Sequence, residues 1–356
     1  MANARFLYDN LITDETMLAV SSLRPGLVTS ALKSGTGSAS ISVSGVYSAA
    51  VDKEFIVEID SVTAGSEIGQ ATFRWSDGGG SWNATGGATS AINVALGDGI
   101  HVKWTAGSGN DFVLGDRWYF KGINLFNAGK MLNLDRDSRY RSAVLASPNT
   151  ITISFGSPQE IKALILCDHN LTAGATIFLK GNTADAWDPP AFSEAITWNE
   201  EKIIHYLSVA TTYKYWQLQI TDTGNPDGYI EIGELFLGSY RELSKNFLEG
   251  YSEETVFLME TNKTPYGVKR ARFYNSQLTF NFDYGSMSAA DVADMKALVA
   301  TIVSRSSGTF KPLWFNRDSA TPTETWLVNL ASLPVKHRTR AYFDMPLVFE
   351  EVVASV

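Results

Sequence analysis

Along residues 270–283 apolar and polar side chains alternate, with Ala271, Phe273, Leu278, Phe280 and Phe282 on the apolar side and a slip in register near Asn275 and Ser276. A period of two is that of a half-buried strand, so the stretch predicts a long strand with these five side chains buried. The period then lengthens. Ser288 followed by Asp291 reads as a capping box with Asp in place of Glu, and Val292, Met295, Leu298, Val299, Ile302 and Val303 recur at helical spacing. This helix is expected to end near Arg305 with Gly308 as its stop, and residues 310–315 to resume as a strand.

Elsewhere the pattern is that of short strands. Residues 55–59, 71–75, 92–96, 101–104 and 117–120 alternate or run apolar between Gly-rich turns, which predicts a small sandwich up to about residue 122. Residues 149–155, 175–180, 215–220 and 230–237 supply a second set, and 161–167 is an apolar run of the kind found in a strand covered on both faces. Together these predict an eight-stranded jelly roll or a similar sandwich. Residues 255–259, 326–330 and 342–353 complete a last domain in the order strand, long strand, helix, strand, strand, strand. Residues 1–35 read as a short ordered lead, and a Gly, Ser and Ala bias over residues 34–44 marks a handover between domains.

Composition narrows the class. A chain of 356 residues, 44% hydrophobic and 19% charged, has room for two or three cores, and 29 glycines with 12% aromatics favour strands and turns over helices. A single cysteine, Cys167, excludes an intramolecular disulfide and reads as a buried thiol. The net charge of −9 argues against a nucleic-acid-binding surface, and the basic residues between 336 and 340 read as a solvated turn. Neither a basic-then-apolar leader nor an apolar run of membrane-spanning length is seen, so synthesis in a cytoplasm and no membrane insertion are expected.

Candidate chemistry is sparse. His101, His169, His205 and His337 lack metal-ligand spacing, and no Gly-x-Ser-x-Gly or phosphate-binding loop occurs. Glu200 with Glu201, and Asp185 with Asp188, are acidic pairs of the sort common in loops, so the chain is read as not an enzyme. Trp104, Trp118, Trp314, Phe315 and Trp326 read as core. Trp82, beside the turn through Asp77 and Gly80, is a candidate ring for stacking on a glycan.

Three stretches resemble known families. Ala71-Thr-Phe-Arg-Trp-Ser-Asp-Gly-Gly-Gly-Ser-Trp82 with Asp111-Phe-Val-Leu-Gly-Asp-Arg-Trp-Tyr-Phe120 resembles the immunoglobulin-like modules inserted into bacteriophage virion proteins. Asp135-Arg-Asp-Ser-Arg-Tyr-Arg141, Ile165-Leu-Cys-Asp-His169, Tyr215-Trp-Gln-Leu218 and Ile232-Gly-Glu-Leu-Phe-Leu-Gly238 are similar to discoidin-type, galactose-binding-like domains. Gly308-Thr-Phe-Lys-Pro-Leu-Trp-Phe315 and Met345-Pro-Leu-Val-Phe-Glu-Glu-Val352 resemble the tube-forming domains of distal tail and minor tail-tip proteins of long-tailed phages.

These resemblances imply a mainly β chain in three parts. Residues 1–35 and 123–240 would form a discontinuous galactose-binding-like sandwich, 36–122 an inserted immunoglobulin-like domain, and 241–356 a tail-tube-like domain flanked by one helix. For the sandwich they imply a sugar site, with Trp187, Asp185 and Asp188 as candidates, a structural calcium, with Asp135, Asp137 and Glu234 as oxygen donors, or both, or neither, the domain then being a spacer. No cofactor is required. For the whole they imply a virion protein of the tail tip that forms a homohexameric ring, or at the tip a trimer, around the DNA-ejection channel. Its partners would be further copies, the tail tube, tip or hub proteins and host-surface glycan, with DNA passing unbound. The alternative is a carbohydrate-binding accessory protein acting as a monomer.

Overall fold

The computed structural model describes residues 3–49, 51–78, 80–135, 138–263, 269–304, 309–339 and 342–353. The fold is mainly β, and its described sheets are antiparallel. Among the described residues one sheet of 13 strands runs through two of the three parts. Eleven of them run in the order Phe192–Ile196, Thr176–Asn182, Lys202–Thr221, Asn149–Cys167, Glu234–Glu242, Arg5–Asn10, Leu313–Asn316, Thr325–Ser332, Phe343–Glu351, Lys269–Met287, Ser252–Lys263, while Leu18–Val20 pairs with Asn149–Cys167 and Lys336–His337 with Phe343–Glu351 off this path.

The sandwich is built by bending its two longest strands. Asn149–Cys167 is one strand of 19 residues where the sequence pattern suggested two, because register shifts between Ser154 and Gln159, and between Ile161 and Ala163, turn the chain without ending the ladder. The halves on either side of the bend send Ile151, Ile153 and Phe155, and then Ile161, Leu164 and Leu166, into a single core with Trp216, Leu218 and Leu235. Ala163, Ile165 and Cys167 point the other way into a smaller cluster, which is why the 161–167 run is apolar on both parities.

Residues 27–123 form a two-layer module of a six-stranded and a three-stranded sheet. The short strands Leu27–Val28 and Leu32–Ser34 pair with Arg117–Ile123 and so belong to its larger sheet. Trp104 and Trp118 are each 1% exposed at its centre, packed edge-on against Phe112 and each other. At the stem Asn124 is fully buried. Its amide donates to Asp52, and its side chain to the carbonyls of Arg24 and Ala49, which ties the two crossings of the chain together.

In the last part the helix Ala289–Ile302 begins on the expected capping box, with Ser288 and Asp291 bonding each other's amides. Val292, Met295, Leu298 and Ile302 pack on Phe280, Phe282, Phe315 and Phe349 of the sheet. It stops earlier than the spacing suggested: Val303 is already extended, while Arg305 and Gly308 lie outside the described residues. Of the five side chains expected to be buried along 270–283, Phe280 and Phe282 are, Leu278 is partly so, and Ala271 and Phe273 are exposed. The reason is geometric. The strand Lys269–Met287 runs on past the core into a projecting hairpin.

Phe6 joins the last core from the other end of the chain, with ring centroids 5.4 Å from Phe315 and 6.3 Å from Phe349. Phe6→Ala is expected to cost about 3–5 kcal/mol. Denaturant unfolding followed by tryptophan fluorescence and by a probe confined to residues 241–356 should show the loss concentrated in that part.

Candidate functional site

The first candidate surface is the loop of residues 183–191, which joins Thr176–Asn182 to Phe192–Ile196 at one border of the long sheet. Its local bonds make it self-supporting: Asn182 caps Thr183 and reaches the carbonyl of Ala186, and Trp187 donates its indole N–H to Asp185 at 2.9 Å. Trp187 is half-buried, and Asp185 and Asp188 are exposed. The structure therefore brings these three predicted residues into one loop, with the ring held by one carboxylate and the other left to solvent. A fixed, partly exposed indole beside carboxylates can stack on the apolar face of a sugar and accept its hydroxyl protons.

Trp82 is elsewhere, in the inserted module. The Arg74 guanidinium lies 4.1 Å from its ring centre, and Arg74 is itself held at 2.6 Å by the buried Glu58. One face of Trp82 is thus occupied by a cation from its own module.

The predicted calcium donors fall near the joint between sandwich and shared sheet. Glu234, 4% exposed, accepts the amide N–H of Leu134 at 3.1 Å, which places it beside the backbone that carries Asp135. Asp137 lies outside the described residues. Burial pushes the Glu234 carboxyl up to about 8, and Asp168 adds to the shift while the Leu134 N–H opposes it. Among the described residues no group of three or more His, Cys, Asp or Glu is placed to hold a metal ion. Calcium takes about six to eight oxygens, so Glu234 and Asp135 alone are an incomplete set.

A further surface escaped the sequence pattern. The strands Ser252–Lys263 and Lys269–Met287 pair along their length, but the neighbouring strand Phe343–Glu351 leaves the ladder where Glu350 faces Thr279. Residues 256–263 with their partners therefore project as a two-stranded arm of roughly 26 Å, at about 3.3 Å per residue. Its apolar side chains are uncovered on both faces: Phe257 at 58% and Phe273 at 60% touch on one, and Val256 and Leu258 lie on the other. A signal was present in the unbroken run Val256-Phe-Leu-Met259, which is apolar on both parities with no second sequence element to cover the outer side. No helix among the described residues is long and apolar enough to cross a membrane.

No protein-family model matches the chain, and no curated protein matches it. Among solved structures it is similar to chitosan-binding module 1 of a chitosanase/glucanase from Paenibacillus sp. IK-5, at 19% identity over 33% of this chain and 88% of that one, with a TM-score of 0.28. It is also similar to a fucose binding module of Streptococcus pneumoniae, at 13% identity over 33% and 89% of the two chains and a TM-score of 0.27. A third is CBM32-5 of Clostridium perfringens in complex with GalNAc-β-1,3-galactose, at 14% identity over 32% and 84% and a TM-score of 0.26. These neighbours are carbohydrate-binding modules.

Glu234 makes stability depend on pH. The folded chain keeps this proton up to about 8, whereas an unconstrained Glu releases it near 4.5, so between those values the folded state binds more protons and rising pH costs stability. In calcium-free buffer the contribution is most favourable below the lower value and is lost through the upper one, with a limiting slope of about 1.4 kcal/mol per pH unit. Thermal unfolding measured across this range should show that decline, and Glu234→Gln should flatten it.

Proposed function

We propose that this chain is a non-enzymatic structural protein of a bacteriophage tail tip. Copies join through the C-terminal arm into a ring around the DNA channel, and the sandwich and inserted module stand outside it. The observation that carries this reading is the arm itself. A two-stranded ribbon is marginally stable in water, and one with apolar side chains exposed on both faces needs cover on both. Its outer strand, Ser252–Lys263, is also a terminal strand of the long sheet, with one edge open for strand addition among the described residues. A head-to-tail contact between identical copies supplies the cover and the edge partner together, and it closes when the rotation divides the circle. The resemblance to tail-tip proteins favours a hexamer, with the tail tube and tip or hub proteins as neighbours. The net charge of −9 suits a wall along which DNA passes without adhering.

The loop through Trp187 favours a second reading, a monomeric carbohydrate-binding accessory protein. The two readings differ in what they ask of the arm. Light scattering on the purified chain should give a concentration-dependent assembly larger than a monomer, and the double variant Phe257→Ser, Phe273→Ser should remain monomeric with little change in melting temperature, since both rings are already exposed. A wild-type chain that stays monomeric like the variant, yet binds chitotriose, fucose or GalNAc-β-1,3-galactose and loses that binding on Trp187→Ala, would establish the second reading instead.

A further inference from the structure

Five strands lie side by side over the sandwich core, in the order Leu18–Val20, the first half of Asn149–Cys167, the second half of Lys202–Thr221, Thr176–Asn182 and Phe192–Ile196. One parity, with Ile151, Leu218, Leu179 and Ile196, packs into the core, so the other turns outward. Register sets the outward side chains in rows across the strands. Thr150, Gln219, Phe178 and Ala195 make one row, and Ala19, Thr152, Gln217, Lys180 and Ser193 make the next. All are exposed or partly exposed except Gln217, which lies in the floor and donates to the Thr152 hydroxyl at 3.3 Å. Lys180 donates to the side-chain oxygen of Gln219, and among the described outward positions of these strands it is the one ionised group. Glu194, in the last strand, has the other parity and lies 3.3 Å from His205; Lys214 stands at the border, its ammonium 5.2 Å from the centre of the Tyr215 ring. The outer face of the inserted module is unlike this, since Arg117, Glu58 and Arg74 stand there in one row as an ion-paired ladder.

We propose that this face binds a neutral glycan chain lying across the strands. The Gln219 amide and the hydroxyls of Thr150, Thr152 and Ser193 can each donate and accept, as sugar hydroxyls do, and the Lys180 ammonium has donors left for hydroxyl oxygens. Phe178, between Gln219 and Ala195, supplies an apolar ring for the C–H face of a sugar. At a strand spacing of about 4.8 Å the five strands are about 19 Å across, room for several sugar rings, so the ligand is a chain and not a monosaccharide. Bonds among the side chains hold them before the ligand arrives, which lowers the cost of ordering them. A protein partner would need a cluster of large apolar anchors, and Phe178 is the one such side chain in the two rows. An anionic polysaccharide repeats its charge along the chain, and with Lys180 alone inside the face and Lys214 at its border most of those charges would lose water without gaining a partner. The face is distinct from the loop through Trp187, which follows Asn182 at one end of the strands, and binding on it is independent of how the arm assembles.

The test is titration calorimetry of the full chain with cellohexaose, maltohexaose, mannohexaose and hexa-N-acetylchitohexaose, each set against its own monosaccharide. At least one hexasaccharide should bind about tenfold or more tightly than the monosaccharide. Gln219→Ala should weaken that binding about tenfold, the worth of one or two neutral hydrogen bonds, and Trp187→Ala should leave it unchanged. The Gln219 side-chain amide signal in NMR, assigned by its absence in Gln219→Ala, should move saturably with the same hexasaccharide, which a merely structural effect of the substitution would not produce. Should Gln219→Ala fail to fold, Gln219→Glu takes its place: the shape is kept, the amide donor is lost, and binding should again fall. No binding by any of the four hexasaccharides, tighter binding of heparin or alginate than of every neutral chain, or binding that is lost in Trp187→Ala and intact in the Gln219 variants overturns the proposal.

Discussion

Two-sided pairing of the strand Arg5–Asn10 is the constraint on which the rest of the structure depends. On one edge it pairs with Glu234–Glu242, the last strand of the sandwich; on the other it pairs with Leu313–Asn316 in the final part. Consecutive residues serve different cores, with Phe6 in the helix-covered cluster and Leu7 in the smaller cluster behind the sheet. Arg5 fixes the register from outside. Its guanidinium lies 4.2 Å from the ring centre of Tyr206 and 4.1 Å from that of Tyr240, and it pairs with Glu242 at 3.2 Å. Further along, Gly238 admits the close approach: a Cβ there would stand 2.4 Å from the Asp9 carbonyl oxygen. Without this strand the sheet would divide into two, each with an unpaired edge and one side of its core uncovered.

The helix and much of the three cores follow patterns that local sequence carries. Ser288 and Asp291 cap the helix by bonds within one turn, and Trp104 and Trp118 sit in alternating runs whose apolar side has only one place to go. What local pattern cannot carry is pairing at a distance. Phe6 and Leu7 are both fully buried, so Arg5–Asn10 shows no alternation, and its partners Glu242 and Asn316 lie far along the chain. The bend in Asn149–Cys167 is equally hidden, since residues 156–160 are polar enough to read as a loop although the chain stays extended through them and pairing resumes at Gln159.

The candidate sites were legible to different depths for the same reason. Asp185, Trp187 and Asp188 are close in sequence, so a loop was bound to gather them, and only the 2.9 Å bond that orients the indole needed coordinates. Glu234 comes beside the backbone of Leu134, next to Asp135 in sequence, because the Leu134 amide bonds to it across 100 residues of chain, and the raised proton affinity comes from burial, which spacing does not report. Composition and alternation place Trp314 in a core, and the structure buries it in the smaller cluster behind the sheet, where two parts of the chain meet. Phe273 marks the reverse error: alternation assigns a face to be covered, and a strand that outruns its own core presents the same alternation as one that does not.

Continuity of the sheet also decides how the outer modules relate to the arm. The stretch between the sandwich and the arm is not a free linker. Ser244 bonds through both its amide and its hydroxyl to Asp291 at the helix cap, and the Leu248 amide bonds to the carbonyl of Asp283 in the long strand. The sandwich thus reaches the arm by two routes, through Arg5–Asn10 in the middle of the sheet and through this bonded crossing at its end. Tethering by a flexible segment would let the outer modules sample many directions relative to whatever holds the arm. Two bonded routes remove that freedom, so a partner gripping the arm fixes the direction in which the loop through Trp187 faces. In the proposed assembly of repeated copies, that rigidity would make every outer module point the same way.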